Sequence, residues 1–314
     1  MGVVSVIWVV FGFSLAFGDD CGGFIGNPAS FFMFQHVGAK IDTYLAPTIP
    51  LALYALFQMK FAIITPSLIT GSFAERVRFS GYLIFMILFC IFVYCPLAHW
   101  TWHPDGFLRQ MGVVDFAGGI VVHASSGVAA LAGGIFLGRR SGKRHAPANI
   151  PFVILGAAML WLGWFGFNAG SSLAADGIAI KAFLNTNTAS ATAMMVWIFF
   201  DCLRGRKPSA LGAAVGAVVG LVAITPSAGY VTVGESIFIA LTTTMVCNVA
   251  VYWKNKTSVD DALDVFPTHG VGGIFGTVLT GVFVNGLFAG NVSVFLIHLL
   301  AVVLVCGYTF IVSY

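Results

Sequence analysis

Ten long apolar stretches follow one another along this chain, near residues 3–18, 45–71, 80–99, 113–137, 150–170, 179–203, 209–225, 231–253, 263–285 and 292–314. Several approach the roughly 20 residues a helix needs to cross a bilayer. Hydrocarbon offers no partner to a backbone N–H or C=O, so only helices or closed barrels span it. The ten-residue alternation of a membrane barrel is missing, and the expected fold is an all-α polytopic membrane protein. Charge agrees, since only 9% of residues carry it against roughly a quarter in soluble domains. The 37 glycines suit helices that approach closely in lipid. The stretches near 3–18 and 209–225 are the weakest spans, and the second, rich in Gly and Ala, is expected to be buried among its neighbours. One transmembrane domain over 1–314 accounts for the whole sequence.

Basic residues set the orientation. The loops after the second, fourth, sixth and eighth stretches hold Arg76 and Arg78, then Arg139, Arg140, Lys143 and Arg144, then Arg204, Arg206 and Lys207, then Lys254 and Lys256, eleven of the 15 Lys and Arg. Loops rich in Lys and Arg stay cytoplasmic, so these four share the inner face and the intervening loops lie outside. Ile64-Thr65-Pro66-Ser67 recurs as Ile224-Thr225-Pro226-Ser227, and each copy is followed two spans later by an intramembrane histidine preceded by aspartate. An inverted repeat with its site at the midplane is the expected architecture.

Those histidines, His123 and His269, are the residues most able to carry chemistry, because an ionisable group within a span marks a functional site by default. An imidazole exchanges a proton near neutral pH and stays neutral when buried, so the two line a path for a polar solute or relay protons. The alternative is that each merely bonds a carbonyl or hydroxyl of a neighbouring helix. His298 falls near a span end, and His36, His99, His103 and His145 are expected to be solvated. Asp115 and Asp264 precede the paired histidines and read as helix caps, while at least two of Asp260, Asp261 and Asp264 are expected to be solvated. Phe61 and Trp102 lie toward the outer ends of their spans, where a partly desolvated cation gains about 1–2 kcal/mol per ring face, and Ser171 adds a hydroxyl acceptor. Trp102 reads equally as an interfacial anchor.

Other chemistries find no support. The six cysteines form no CxxC pair, so neither a zinc site nor a disulfide framework is indicated. There is no phosphate-binding or dinucleotide fingerprint, and the basic residues lack the aromatic interleaving of a nucleic-acid surface.

The stretches Trp8 to Gly18, Phe57 to Ala62, Ala74 to Ser80, Asp115 to Gly119 leading to His123, Trp164 to Ser171 and Asp264 to Gly273 together resemble the ammonium transporter family, the Amt, Mep and Rh group, and most closely its bacterial-type Amt members. The resemblance implies an eleven-span protomer of inverted five-helix halves, a homotrimer with one pore per subunit, and a chain incomplete at both ends, lacking the first span and the C-terminal tail. It implies a transporter of ammonium or ammonia in the plasma (inner) membrane, not an enzyme, with no cofactor or metal and with a PII-type cytoplasmic regulator as a partner. Phe61, Trp102 and Ser171 resemble the external recruitment site, Phe61 and Phe167 the stacked gate beneath it, His123 and His269 the pore histidines, and Asp115 the aspartate that orders the recruitment region. Phe57 is not expected to line the pore centre, and the segment between Trp102 and Asp115 departs in length from some relatives. A sensor of the same fold, signalling to cytoplasmic partners, is the alternative function, and a haem-binding redox protein using the histidines is a third.

Overall fold

The computed structural model describes residues 1–140, 147 and 149–314, so Lys143, Arg144 and His145 lie outside the described residues. Each apolar stretch is helical. We number them α1 (Gly2–Phe17), α2 (Leu51–Phe73), α3 (Phe79–Gln110), α4 (Gly119–Leu137), α5 (Ile150–Gly170), α6 (Gly177–Leu203), α7 (Ala210–Ile224), α8 (Val233–Lys254), α9 (Phe266–Ala289) and α10 (Val292–Ser313). The expectation of ten spans is met by seven helices on length and apolarity among the described residues. The other three fall short for physical reasons. Helix α1 is short, α7 has 15 residues, and α6 carries the polar run Asn185-Thr186-Asn187-Thr188 within its 27.

Polar side chains start several helices by accepting the free N–H groups of the first turn. Asn149 does this for Phe152, Asp176 for Ala179 and Ser209 for Gly212, and Thr232 with Glu235 forms a capping box at α8. The loop between α1 and α2 holds two short antiparallel hairpins, β1 (Asp20–Cys21) with β2 (Ile25–Gly26) and β3 (Ile41–Asp42) with β4 (Ala46–Pro50). Asp20 and Asp42 close these turns by accepting backbone N–H groups.

Helix α7 is largely buried, as its Gly and Ala content foretold. A Cβ on Gly216 or Gly220 would strike Ala189, Ala193 or Trp197 of α6, so these glycines permit the close approach. Helix α5 is the reverse case: only 6% of its most apolar window is buried.

The basic loops meet one another. Arg76 donates to the carbonyls of Ser72, Gly138 and Asp260. Arg140 pairs with Asp260 at 2.9 Å and Glu75 at 3.2 Å. Arg204 and Lys256 both lie over the Tyr252 ring, at 4.7 and 4.1 Å. Loops assigned to one face by charge thus gather on one face. Asp260 and Asp261 are buried there, not solvated, because their carboxylates have partners. Burial pushes the Asp260 carboxyl up, but hydrogen bonds and charge from Arg140 outweigh it and hold the group below its ordinary value.

Candidate functional site

Each paired histidine sits in a π-helical turn that leads into a 13-residue α-helix: Gly119–Ala124 before Ser125–Leu137, and Phe266–Gly270 before Val271–Phe283. Such turns recur at functional sites because the extra residue re-aims side chains. Asp115 caps the first. Its two carboxylate oxygens accept from Gly118, Gly119, Ile120 and Val121 at 2.6 to 3.3 Å. Gly118 takes φ +111°, a conformation that favours glycine, and Gly119 is pressed against Pro226. The Phe116 N–H donates to the Pro226 carbonyl at 3.0 Å, so the second Ile-Thr-Pro-Ser copy supports the loop that carries Asp115.

The second cap is Asp261, not the expected Asp264. Asp261 accepts from the Phe266 N–H at 2.7 Å, whereas Asp264 has φ +55° and forms an ion pair with Lys254. Asp115 and Asp261 both stand eight positions ahead of their histidines, a correspondence visible in the sequence but masked by the nearer aspartate. The two repeat copies match locally as well: Thr65 Oγ1 donates to the Phe61 carbonyl and Thr225 Oγ1 to that of Leu221, each at 2.7 Å and four residues back.

The turns bring His123 and His269 together. Their Nδ1 atoms are 3.3 Å apart, and both rings are buried. A hydrogen bond between two Nδ1 atoms needs one protonated and one bare, so the two imidazoles hold opposite tautomers. His123 Nε2 is buried without a protein partner among the described residues. Trp164 stacks on the His123 ring at 5.2 Å and is held there by its indole N–H donating to Thr225 Oγ1 at 2.9 Å.

On the expected outer side lies a cavity of about 400 Å³ lined by Phe61, Trp102, Asp115 and Ser171, with Phe57, Gln58, Thr101 and Arg109 also on its wall. The Trp102 ring meets Phe61 edge-on at 5.6 Å, and its indole N–H donates to the Asp115 carbonyl at 2.8 Å. Ser171 donates to the Phe167 carbonyl at 2.9 Å, leaving its lone pairs free. At the base of the cavity Phe61 stacks on Phe167 with centroids 4.3 Å apart, and Phe167 lies 6.0 Å from His123. Phe57 packs on Phe61 at 4.9 Å, at the cavity and away from the histidines. At the rim, a hydrogen bond to Asp105 pushes the Tyr44 phenol up to about 12.

The seven site residues read from sequence thus form one continuous column. Two other histidines differ from expectation. His99 and His103 are buried, not solvated: their rings stack at 4.3 Å, and His99 bonds the Ala16 carbonyl and Asp20. The apolar end of α3 folds under the hairpin loop, which shields both. His298 is also buried, and its Nε2 accepts the Val114 N–H at 3.1 Å, beside Asp115. His36 is exposed, as expected.

The whole chain, residues 1–314, matches the model of the Ammonium Transporter Family. It is 43% identical to the ammonium transporter of Bacillus subtilis, over all of this chain and 80% of that one. The crystal structure of Candida albicans Mep2 superposes with a TM-score of 0.94 at 34% identity, covering 99% of this chain and 72% of that one. A solved structure described as a Sensor Amt Protein is 30% identical with a TM-score of 0.89, covering 99% of this chain and 80% of that one. With its capped π-turns, its histidine pair and these likenesses taken together, the chain belongs to the ammonium transporter family.

Proposed function

We propose that this protein carries ammonium across the membrane as ammonia: the cation is held in the outer cavity, loses its proton near the phenylalanine pair, and continues as a neutral molecule along the histidines. The observation that carries this reading is the unbroken order of cavity, Phe61, Phe167, His123 and His269. Trp102 and Phe61 supply ring faces worth about 1–2 kcal/mol each to a partly desolvated cation, and Ser171 supplies an acceptor. An intact cation farther in would face a cost of several kcal/mol, whereas ammonia can donate to or accept from an imidazole. The unpartnered Nε2 of His123 is available to it. Asp115 orders the mouth by capping the turn that carries His123.

The family likeness supports a homotrimer in the plasma membrane, with a PII-type regulator at the cytoplasmic face. The apolar α5, of which very little is buried, supports an interface between subunits. Resemblance to a sensor of the same fold supports a second reading, in which occupancy signals without net transport. Reconstitution in liposomes separates them. A transporter moves ammonium and methylammonium but not sugars or amino acids; binding without flux or current supports the sensor.

A further inference from the structure

Two side-chain oxygens on the cavity wall have no hydrogen-bond partner among the described residues: Gln58 Oε1 and Thr101 Oγ1. Both residues are more than nine-tenths buried, with 7% and 3% exposure. A buried polar atom without a partner is costly, so native structures rarely leave one unfilled. The Thr101 hydroxyl is unusual for this protein. Threonines 65, 186, 225, 244, 268 and 280 each donate to the carbonyl four residues earlier, the ordinary resting place of a helical hydroxyl. Thr101 does not. Thr243, Thr277 and Thr309 are also unpartnered, but none of them borders the cavity.

Placement strengthens the case. Gln58 precedes Phe61 by three positions on α2, and residues so spaced share a helix face. Thr101 adjoins Trp102 on α3. The two oxygens therefore come from the same helices as the two aromatic rings. Nearby donors point elsewhere: the Trp102 indole N–H serves the Asp115 carbonyl, the Arg109 guanidinium serves the Trp102 carbonyl, and the Ser171 hydroxyl serves that of Phe167. The wall thus offers acceptors and ring faces, with the Trp102 and Ser171 donors engaged.

We propose that Gln58 Oε1 and Thr101 Oγ1 accept hydrogen bonds from the recruited cation, so that with Ser171 they form a three-oxygen site for a small ammonium ion. Ammonium has four N–H donors: three meet these oxygens, and the rings take up the remaining positive surface. Monomethylammonium keeps three N–H donors and fits the same oxygens, whereas a tetraalkylammonium ion has none to give. The inference rests on the ammonium reading above and adds the acceptor set that selects the substrate.

The test is the concentration dependence of methylammonium uptake by the full chain in liposomes, for wild type and for Gln58→Leu, Gln58→Glu, Thr101→Val and Thr101→Ser. Gln58→Leu and Thr101→Val are expected to raise KM at least about fivefold while the maximal rate stays within about twofold, an effect on cation binding alone. Thr101→Ser, which keeps the hydroxyl, should match wild type. Gln58→Glu should lower KM above about pH 6, because a carboxylate accepts more strongly from a cation. Unchanged KM in both Gln58→Leu and Thr101→Val overturns the proposal. So does a Gln58→Glu variant that folds but binds no more tightly, which marks Gln58 as packing or as aiming its N–H groups at the cavity. If Gln58→Leu does not fold, Gln58→Glu and Thr101→Val decide. A wild-type protein that neither binds nor moves methylammonium overturns the ammonium reading itself, a result seen before any variant is compared.

Discussion

His123 and His269 face each other through their Nδ1 atoms at 3.3 Å, so a proton between the rings belongs to one at the expense of the other. Removing either leaves the survivor without its partner, and the two substitutions should therefore not add. His123→Ala and His269→Ala are each expected to reduce methylammonium uptake by about tenfold, with the double variant within about threefold of the worse single one. Uptake by matched amounts of folded protein in liposomes checks this. Multiplying losses would show that the rings act independently.

Trp102 meets Phe61 edge-on at the cavity. If both ring faces hold the cation, Trp102→Leu should raise KM by about tenfold, the equivalent of 1–2 kcal/mol. A fall in maximal rate at constant KM would instead assign Trp102 to a later step.

Asp115 satisfies four backbone N–H groups with one carboxylate. Asp115→Ala strands all four in a buried site and should destabilise the fold by at least about 2 kcal/mol. Asp115→Asn keeps one acceptor oxygen and should recover part of that. Thermal melts in detergent, read by tryptophan fluorescence, compare the two.

A Cβ on Gly127 would drive into the backbone of Gly270, next to His269, whereas one on Gly307 of α10 would meet nothing within 4 Å. Gly127→Ala is expected to cost about 1–3 kcal/mol through overpacking, and Gly307→Ala to be neutral or stabilising by up to about 1 kcal/mol. The same melts distinguish them, and equal behaviour would remove the helix contact from the account.

The network of the basic loops should titrate in acid. Asp260 is held below its ordinary value chiefly by Arg140, against the opposing effect of burial. A carboxyl depressed in the folded state contributes stability above its unfolded value near 4, and that contribution is lost as pH falls through the folded one. Thermal stability should therefore decline below about pH 4, and Asp260→Asn should flatten the decline while lowering stability at neutral pH.

Much of this was readable in advance, for reasons that differ by residue. Helix positions were legible because hydrocarbon imposes length and apolarity on every span, and the alternation of Arg76, Arg140, Arg204 and Lys256 between loops foretold that these loops share a face. Asp115 was legible as a cap because its relation to the turn is local. Asp261 was missed because Asp264 lies nearer the histidine, and only the backbone at Asp264, with φ +55°, takes that residue out of capping geometry. The burial of His99 and His103 has no local sign, because their shelter comes from α1 and a hairpin loop distant in sequence. Gln58 and Thr101 left no signal at all: an oxygen without a partner is a fact of three dimensions.

The π-turns under the two histidines also govern what lies beyond them. One residue advances an α-helix by about 100°, and a π-turn absorbs one residue without passing that rotation on. Were either turn wound as plain α-helix, everything downstream would swing by about 100°, carrying Gly127 or Gly273 off the backbone it touches. The phase that aims each imidazole is therefore the same phase that seats the two halves on one another. A shift of one residue in either helix would disturb the histidine pair and the seam together, so an insertion or deletion there cannot alter one without the other.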